Sequence, residues 1–196
     1  MATLVLFHHV QGLTDGVREF ADKFRTAGHS VLTPDLFDGA LPDSIEEGVA
    51  FAEALDEETA GQRVEAALAD VREGAVFGGI SWGAMHAQRL AQTLPGAKGA
   101  LLYEACIPIT GEWAFGPWPK TVPLQVHGMA DDPFFAHEGD LDAALEIRDA
   151  VGSELVEVYT YPGDRHLFID SSLPSHDPRA TALVVERSLE FLERIH

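Results

Sequence analysis

The sequence is poor in cysteine and in basic residues. Cys106 is the only cysteine among 196 residues, so no intrachain disulfide can form and a reducing compartment is acceptable. The 13 Lys and Arg residues stand against 32 Asp and Glu, which gives a formal net charge of −19. Nucleic acid and anionic membrane surfaces repel such a chain, so we expect neither as a partner.

Long apolar runs are also missing from the sequence. No uncharged stretch approaches the roughly 20 residues that a membrane-spanning helix needs. The first apolar segment begins by Leu4, which leaves no room for the charged and apolar regions of a secretory signal peptide. We therefore expect a cytoplasmic protein.

Short apolar segments alternate with segments of helical periodicity along most of the chain. This alternation is typical of parallel strands joined by helices. A length of 196 residues suits one domain with a substantial core. We predict a single α/β domain over residues 1–196, with helices on both faces of a mostly parallel sheet of about six strands. The predicted strands lie near 4–7, 30–33, 75–78, 99–103, 123–128 and 155–161.

The segment from Gly79 to Gly83 reads G-I-S-W-G and joins an apolar strand to a helical pattern. A strand that turns into a helix through G-x-S-x-G is the nucleophile elbow of α/β-hydrolases, and it would expose the Ser81 hydroxyl on a strained turn. The helix N-terminus behind the serine adds free N–H groups that favour an oxyanion. Taken alone, the pentapeptide also fits an ordinary glycine-rich turn.

Two further residue types follow Ser81 in the order that α/β-hydrolases use. The aspartates Asp131 and Asp132 come after one predicted strand, and His166 comes after the last one. A serine nucleophile needs a histidine base and a carboxylate that orients the base. We choose Asp132, because Pro133 restricts the residue before it to an extended conformation. Asp131, three residues after a glycine, is the alternative.

Aromatic residues and one histidine are candidates for the substrate pocket. Residues 104–121 combine three prolines with three large aromatics and show no regular period. We interpret them as an irregular loop that walls a pocket, and the alternative is a surface loop anchored by its aromatics. The candidate pocket residues are His9, Trp113, Trp118 and Phe134.

The remaining polar residues favour no metal and no cofactor. His8 and His9 are adjacent, so their side chains point opposite ways in extended chain and make a poor metal pair. Cys106 is more consistent with an inert buried thiol than with a second nucleophile. The glycines around Gly79 lack the G-x-G-x-x-G spacing of dinucleotide-binding proteins.

The chain resembles the dienelactone hydrolase family of α/β-hydrolases almost from end to end. The resemblance rests on T-P-D-L-F at 33–37, on the G-I-S-W-G elbow and on Y-P-G-D-R-H-L-F at 161–168. It implies a catalytic triad of Ser81, Asp132 and His166. It also implies an oxyanion hole formed by the backbone N–H groups of Val10 and Trp82, the sources expected in this fold.

Three positions differ from the founding members of the family. Ser81 replaces a cysteine nucleophile, and His9 replaces an acidic residue in the first loop. Asp170 stands where those members carry an arginine for the substrate carboxylate. These differences imply the family's reaction class but a substrate other than dienelactone.

We therefore predict a serine hydrolase that cleaves an ester, lactone or thioester of a small-molecule substrate through an acyl-enzyme on Ser81. Within enzymes, the alternative is acyl transfer to an acceptor other than water. Outside enzymes, it is a non-catalytic scaffold that binds a small ligand or a partner. The sequence leaves the oligomeric state open.

Overall fold

Six parallel strands form the sheet at the centre of the computed structural model, which describes residues 1–69, 71 and 74–195. Across the sheet the order is β2-β1-β3-β4-β5-β6, and every neighbouring pair is parallel. The predicted α/β architecture is therefore confirmed. The strands are β1 (Thr3–Phe7), β2 (Ser30–Leu32), β3 (Ala75–Ile80), β4 (Gly99–Tyr103), β5 (Leu124–Met129) and β6 (Val156–Tyr161).

Helices cover both faces of this sheet and enclose two separate apolar cores. Helices α1 and α6 contribute residues such as Phe20 and Val184 to one core. Helices α3, α4 and α5 contribute residues such as Val64, Ala87 and Ile147 to the other. The helices are α1 (Asp15–Thr26), α2 (Ile45–Ala54), α3 (Glu57–Leu68), α4 (Trp82–Thr93), α5 (Asp140–Val151) and α6 (Pro178–Arg194).

Two helix starts that the sequence predicts are present with their caps. The Ser44 hydroxyl accepts a hydrogen bond from the Glu47 N–H and opens α2. The Asp177 carboxylate accepts from the N–H groups of Arg179 and Ala180, and Pro178 occupies the first helical position of α6. Side-chain acceptors at these positions satisfy N–H groups that have no partner inside the helix.

The inward face of α6 carries one polar residue among its apolar ones. Val184 and Ser188 are fully buried, and Val185 and Leu189 are partly buried against the core. The Tyr103 hydroxyl, at the end of β4, donates a 3.0 Å hydrogen bond to the Ser188 hydroxyl. A pattern of apolar residues alone could not reveal a polar residue on the inner face.

The parallel arrangement brings the candidate site segments to one edge of the sheet. The loop after β1, the turn after β3, the loop after β5 and the loop after β6 all leave the carboxyl ends of their strands. Open α/β sheets bind their ligands at this edge. Among the described residues, no helix has the length and apolar character to cross a membrane.

Two glycines allow α4 to pack directly on the sheet. A Cβ atom at Gly79 would lie 2.2 Å from the carbonyl oxygen of Gly83. A Cβ atom at Gly83 would lie 2.4 Å from the carbonyl oxygen of His8. Both neighbours are backbone atoms, which cannot rotate away, so any larger residue would push the helix off the strand.

We expect Gly83→Ala to destabilise the protein by about 1–3 kcal/mol, the usual range for overpacking. Gly61→Ala is the matched control, because Gly61 also lies in a helix but a Cβ atom there meets nothing within 4 Å. Removing that helical glycine should stabilise the protein by roughly 0.5–1 kcal/mol. Urea unfolding followed by circular dichroism measures both changes. Equal stabilities for the two variants would contradict the packing argument.

Candidate active site

Ser81 lies at the turn between β3 and α4 in a backbone conformation that few residues adopt. Its φ is 50° and its ψ is −118°. A positive φ is uncommon outside glycine and stores on the order of 1–3 kcal/mol of strain. Two backbone hydrogen bonds hold the turn, from the Ser81 N–H to the Tyr103 carbonyl at 2.7 Å and from the Ala84 N–H to the Ser81 carbonyl at 2.8 Å.

A chain of hydrogen bonds runs from Ser81 through His166 to Asp132. The Ser81 hydroxyl oxygen lies 2.8 Å from His166 Nε2. On the other side of the ring, His166 Nδ1 lies 2.7 Å from Asp132 Oδ2. An ionised carboxylate can only accept, so His166 carries its proton on Nδ1 and its Nε2 accepts from the serine hydroxyl. This is the protonation pattern of a general base.

The two neighbouring aspartates have different environments. The Asp132 side chain is fully buried, and its second oxygen accepts from the N–H groups of Phe134 and Phe135 at 2.9 and 3.3 Å. Asp131 is exposed, and its own N–H donates to the Gly163 carbonyl at 2.9 Å. Of the two, the structure places Asp132 against His166.

Acidic side chains around His166 favour its protonated form. Burial of the ring lowers its pKa, but the hydrogen bond that the ring donates to Asp132 and the charges of Glu104, Asp132 and Asp140 outweigh burial, so the His166 pKa lies above its ordinary value. Burial also raises the pKa of Asp140 to about 6 and that of Glu104 to about 8. Glu104 accepts a 2.8 Å hydrogen bond from the Phe168 N–H and thereby supports the loop that carries His166.

Sequence reasoning did not identify Glu104 or Asp140 as site residues. Glu104 follows directly after the buried strand β4, and its φ is 62°. A charged residue at the carboxyl end of a parallel strand was the signal that could have found it. Asp140 had no comparable signal, because it looks like an ordinary acidic residue in the first turn of a helix.

The predicted oxyanion donors belong to segments that pack on each other. The Gly83 position touches the carbonyl groups of Phe7 and His8, so the loop after β1 lies directly against the elbow. Among the described residues, neither the Val10 N–H nor the Trp82 N–H donates a hydrogen bond. N–H groups without a partner inside the protein are what an oxyanion hole requires.

His9 lies in a buried polar network and does not line a pocket, which corrects our prediction for this residue. Its Nε2 lies 2.7 Å from Asp170 Oδ2, and both side chains are fully buried. Its Nδ1 accepts from the Gln11 N–H at 3.1 Å. Asp170 also accepts from the hydroxyls of Thr14 and Ser172, at 2.5 and 2.6 Å. With both nitrogens of its ring engaged, His9 has no group free for a ligand.

His9 and Asp170, two of the three positions that differ from the founding dienelactone hydrolases, are therefore hydrogen-bond partners. Burial alone would raise the pKa of Asp170, but the hydrogen bonds from His9, Ser172 and Thr14 hold it down at about 2. The pair connects the loop of Val10 with the loop that follows His166. Because these positions are 161 residues apart, the sequence did not indicate that they meet.

A cavity of about 340 Å³ lies between the segments that follow β4 and β5. Its walls are mainly apolar, and Asp140 lies at one side. Trp113 and Phe115, both from the irregular loop, are part of this lining. The other lining residues include Met85, Ile107 and Pro108.

The other two predicted pocket aromatics lie in different places. Trp118 is buried in the apolar core, and its indole N–H donates to the Val122 carbonyl at 2.7 Å, so the prediction of a pocket role for Trp118 is wrong. Tight packing in the core, rather than ligand contact, explains this aromatic. Phe134 is 37% exposed, and its ring centroid lies 4.7 Å from that of His166. It covers the imidazole from the solvent side.

His8 and Cys106 are buried and bound within the protein. His8 Nδ1 donates to the His9 carbonyl at 2.7 Å, and its Nε2 accepts from the Leu36 N–H at 3.0 Å. Burial raises the pKa of the Cys106 thiol well above its ordinary value. Within the described part of the chain, no cluster of three or more His, Cys, Asp or Glu side chains could hold a metal ion.

Comparison with known families gives one match over the full length. The model of the family described as "Dienelactone hydrolase family" matches residues 1–196. A search of curated proteins gives no match.

Solved structures share the fold at low sequence identity. A dienelactone hydrolase-like promiscuous phosphotriesterase, P91, from metagenomic libraries is 16% identical with a TM-score of 0.74, and the match covers 100% of this chain and 87% of that one. A Klebsiella pneumoniae protein provisionally named as a dienelactone hydrolase is 14% identical with a TM-score of 0.74, over 99% and 87%. The pyrethroid hydrolase PytH is 16% identical with a TM-score of 0.62, over 99% and 98%.

We expect Asp170→Asn to cost about 2 kcal/mol of stability at neutral pH, because the Asp170 pKa falls from 3.8 to about 2 on folding. A carboxyl with a lowered pKa stabilises the fold above its unfolded pKa and loses that effect as the pH falls through the folded value. The difference between wild type and variant should therefore shrink between about pH 4 and pH 2. Urea unfolding at several pH values measures it.

Asp164→Asn is the control, because Asp164 is an exposed aspartate in the same loop. It should change stability by less than about 0.5 kcal/mol at every pH. A stability difference for Asp170→Asn that is independent of pH would mean that the charge of Asp170 does not stabilise the network.

Proposed function

The chain belongs to the dienelactone hydrolase family, and from this membership and the site geometry we propose that it is a serine hydrolase of small esters, lactones or thioesters that acts through an acyl-enzyme on Ser81. One observation carries the proposal. The Ser81 hydroxyl, both nitrogens of His166 and the buried Asp132 carboxylate form an unbroken chain at 2.8 and 2.7 Å.

In the acylation step, the Ser81 oxygen attacks the carbonyl carbon of the substrate. A serine hydroxyl is hardly ionised by itself, so His166 Nε2 removes its proton as the bond forms. The imidazolium that results is stabilised by the Asp132 carboxylate and by the nearby Asp140. His166 then returns the proton to the leaving alcohol or thiol, and the acyl group remains on Ser81.

The charge that develops on the carbonyl oxygen needs donors that are already in place. The N–H groups of Val10 and Trp82 would receive this oxyanion, with the positive end of α4 behind them. The buried His9–Asp170 pair supports this role, because it fixes the residue before Val10. Water, deprotonated by His166, would then attack the acyl-enzyme and release the acid.

The lining of the neighbouring cavity favours a small and mainly apolar substrate group. Met85, Ile107, Trp113 and Phe115 offer apolar surface, and the volume of about 340 Å³ lies in the range of small-molecule sites. Asp140, at its edge, would disfavour an anionic group there. These features support an uncharged ester part in this cavity.

We expect Ser81→Ala to lose roughly 10⁴-fold or more in kcat for short-chain p-nitrophenyl esters, because no covalent step remains. Ser153→Ala, an exposed serine after α5, is the control and should keep full activity. Labelling by a fluorophosphonate should follow the same pattern. Turnover by Ser81→Ala above about a tenth of wild type would show that another residue is the nucleophile.

The two aspartates give a matched pair for the orienting carboxylate. We expect Asp132→Asn to lower kcat by orders of magnitude, since it removes the charge that holds the His166 tautomer. Asp131→Asn should keep activity within about threefold, because Asp131 is exposed and contributes to the loop through its backbone. Esterase rates and thermal unfolding should be compared for both. An inactive Asp131→Asn beside an active Asp132→Asn would reverse the assignment.

A further inference from the structure

A second cavity opens along α4 next to the one described above. Its volume is about 530 Å³, and it lies between α4, the junction of α2 with α3, and Phe115. Met85 and Phe115 line both cavities, so the two cavities are neighbours. Trp82, the residue after the nucleophile, is also part of its wall. The second cavity therefore adjoins the site at the elbow.

His86 is the one histidine in the lining of this second cavity, and its hydrogen bonding is incomplete. The residue is 6% exposed, and its Nε2 has no hydrogen-bond partner among the described residues. A buried polar atom without a partner costs about 1–3 kcal/mol, and such atoms are rare in native proteins. The imidazole is held between aromatic rings, 4.6 Å from Trp82 and 5.8 Å from Phe7 between centroids.

His86 lies on the helix that begins directly after Ser81. Trp82, His86 and Arg89 lie on one face of α4, at helical spacings of four and three residues. Trp82 follows Ser81 directly, so this face runs from the turn at Ser81 to the second cavity. A substrate with an apolar arm could extend from Ser81 along it.

The charge of the cavity favours an uncharged group. Arg89 and Glu53 are the ionised side chains of its lining, and their formal charges cancel. Burial and the nearby charge of Arg89 lower the pKa of His86 to about 4, so its imidazole is neutral at pH 7. A neutral ring next to a cation is better suited to donate to an oxygen acceptor than to bind a second cation.

We propose that this second cavity binds one arm of the ester substrate, and that His86 Nε2 donates a hydrogen bond to an uncharged carbonyl oxygen near the end of that arm. The proposal rests on the proposed esterase function and specifies its substrate class. Preferred substrates are esters whose apolar arm carries a ketone or amide carbonyl near its end.

The test uses pairs of esters that differ only at the end of one arm. In one ester the arm ends in a methyl ketone, and in the other it ends in an isopropyl group of the same shape. Both arms of the ester are tested in turn, the acyl part and the alcohol part. The enzymes are wild type, His86→Phe, His86→Gln and, as a control, His137→Phe, which changes an exposed histidine after β5.

We expect wild type to prefer the ketone in kcat/KM for one of the two arms. His86→Phe should lose about three- to tenfold on that ketone ester and little on its isopropyl partner, the usual effect of one neutral hydrogen bond. His86→Gln, which retains a side-chain donor, should recover part of the preference, and His137→Phe should behave as wild type. Activity on the isopropyl ester shows that each variant is folded.

A loss that is equal for both esters, or no loss in either arm, would overturn the proposal. If the proposed esterase function were wrong, wild type would hydrolyse none of these esters. That result is distinct from hydrolysis of both esters without a preference, which would contradict only the role of His86. If the Ser81→Ala protein bound the ketone and isopropyl esters equally in calorimetry, His86 would also be excluded as a binding residue, whatever the rate of hydrolysis.

Discussion

The packing of α4 on β3 through Gly79 and Gly83 is the constraint on which the site depends. The closeness of this contact forces the chain to turn within one residue, and Ser81 takes the strained conformation that results. The same contact brings the carbonyl groups of Phe7 and His8 against the helix, so the first loop is fixed relative to the serine. The turn at Ser81, the loop of Val10 and the N-terminus of α4 are thus positioned by the absence of two side chains.

The acidic side chains around His166 differ from most other acidic side chains of the protein because they are buried. Most of the excess acids are on the surface, where water screens them. Glu104 and Asp132 are buried, and Asp140 is largely so, within reach of one imidazole. Their effect is to favour the protonated ring, the form that His166 takes when it accepts the proton of Ser81. His86 on α4 has the opposite electrostatic environment, because the positive charge of Arg89 lies near it and disfavours its protonated form.

The sequence predicted the fold and the order of Ser81, Asp132 and His166, because those signals are local. Apolar runs mark the strands, a five-residue turn marks the serine, and Pro133 favours the aspartate that lies against His166 in the structure. It could not predict the partners of His9 or Glu104, because these depend on contacts between distant loops. It was wrong for Trp118, since an aromatic in an irregular loop can equally serve the core.

The buried pair of His9 and Asp170 has an evolutionary consequence. Replacement of either residue alone leaves the other buried without one of its hydrogen-bond partners, which costs about 1–3 kcal/mol. During evolution, replacement of this pair must therefore either pass through a less stable protein with one residue changed or change both residues at once. The pair should vary together among related sequences, and its identity should separate lineages more sharply than the surface around it.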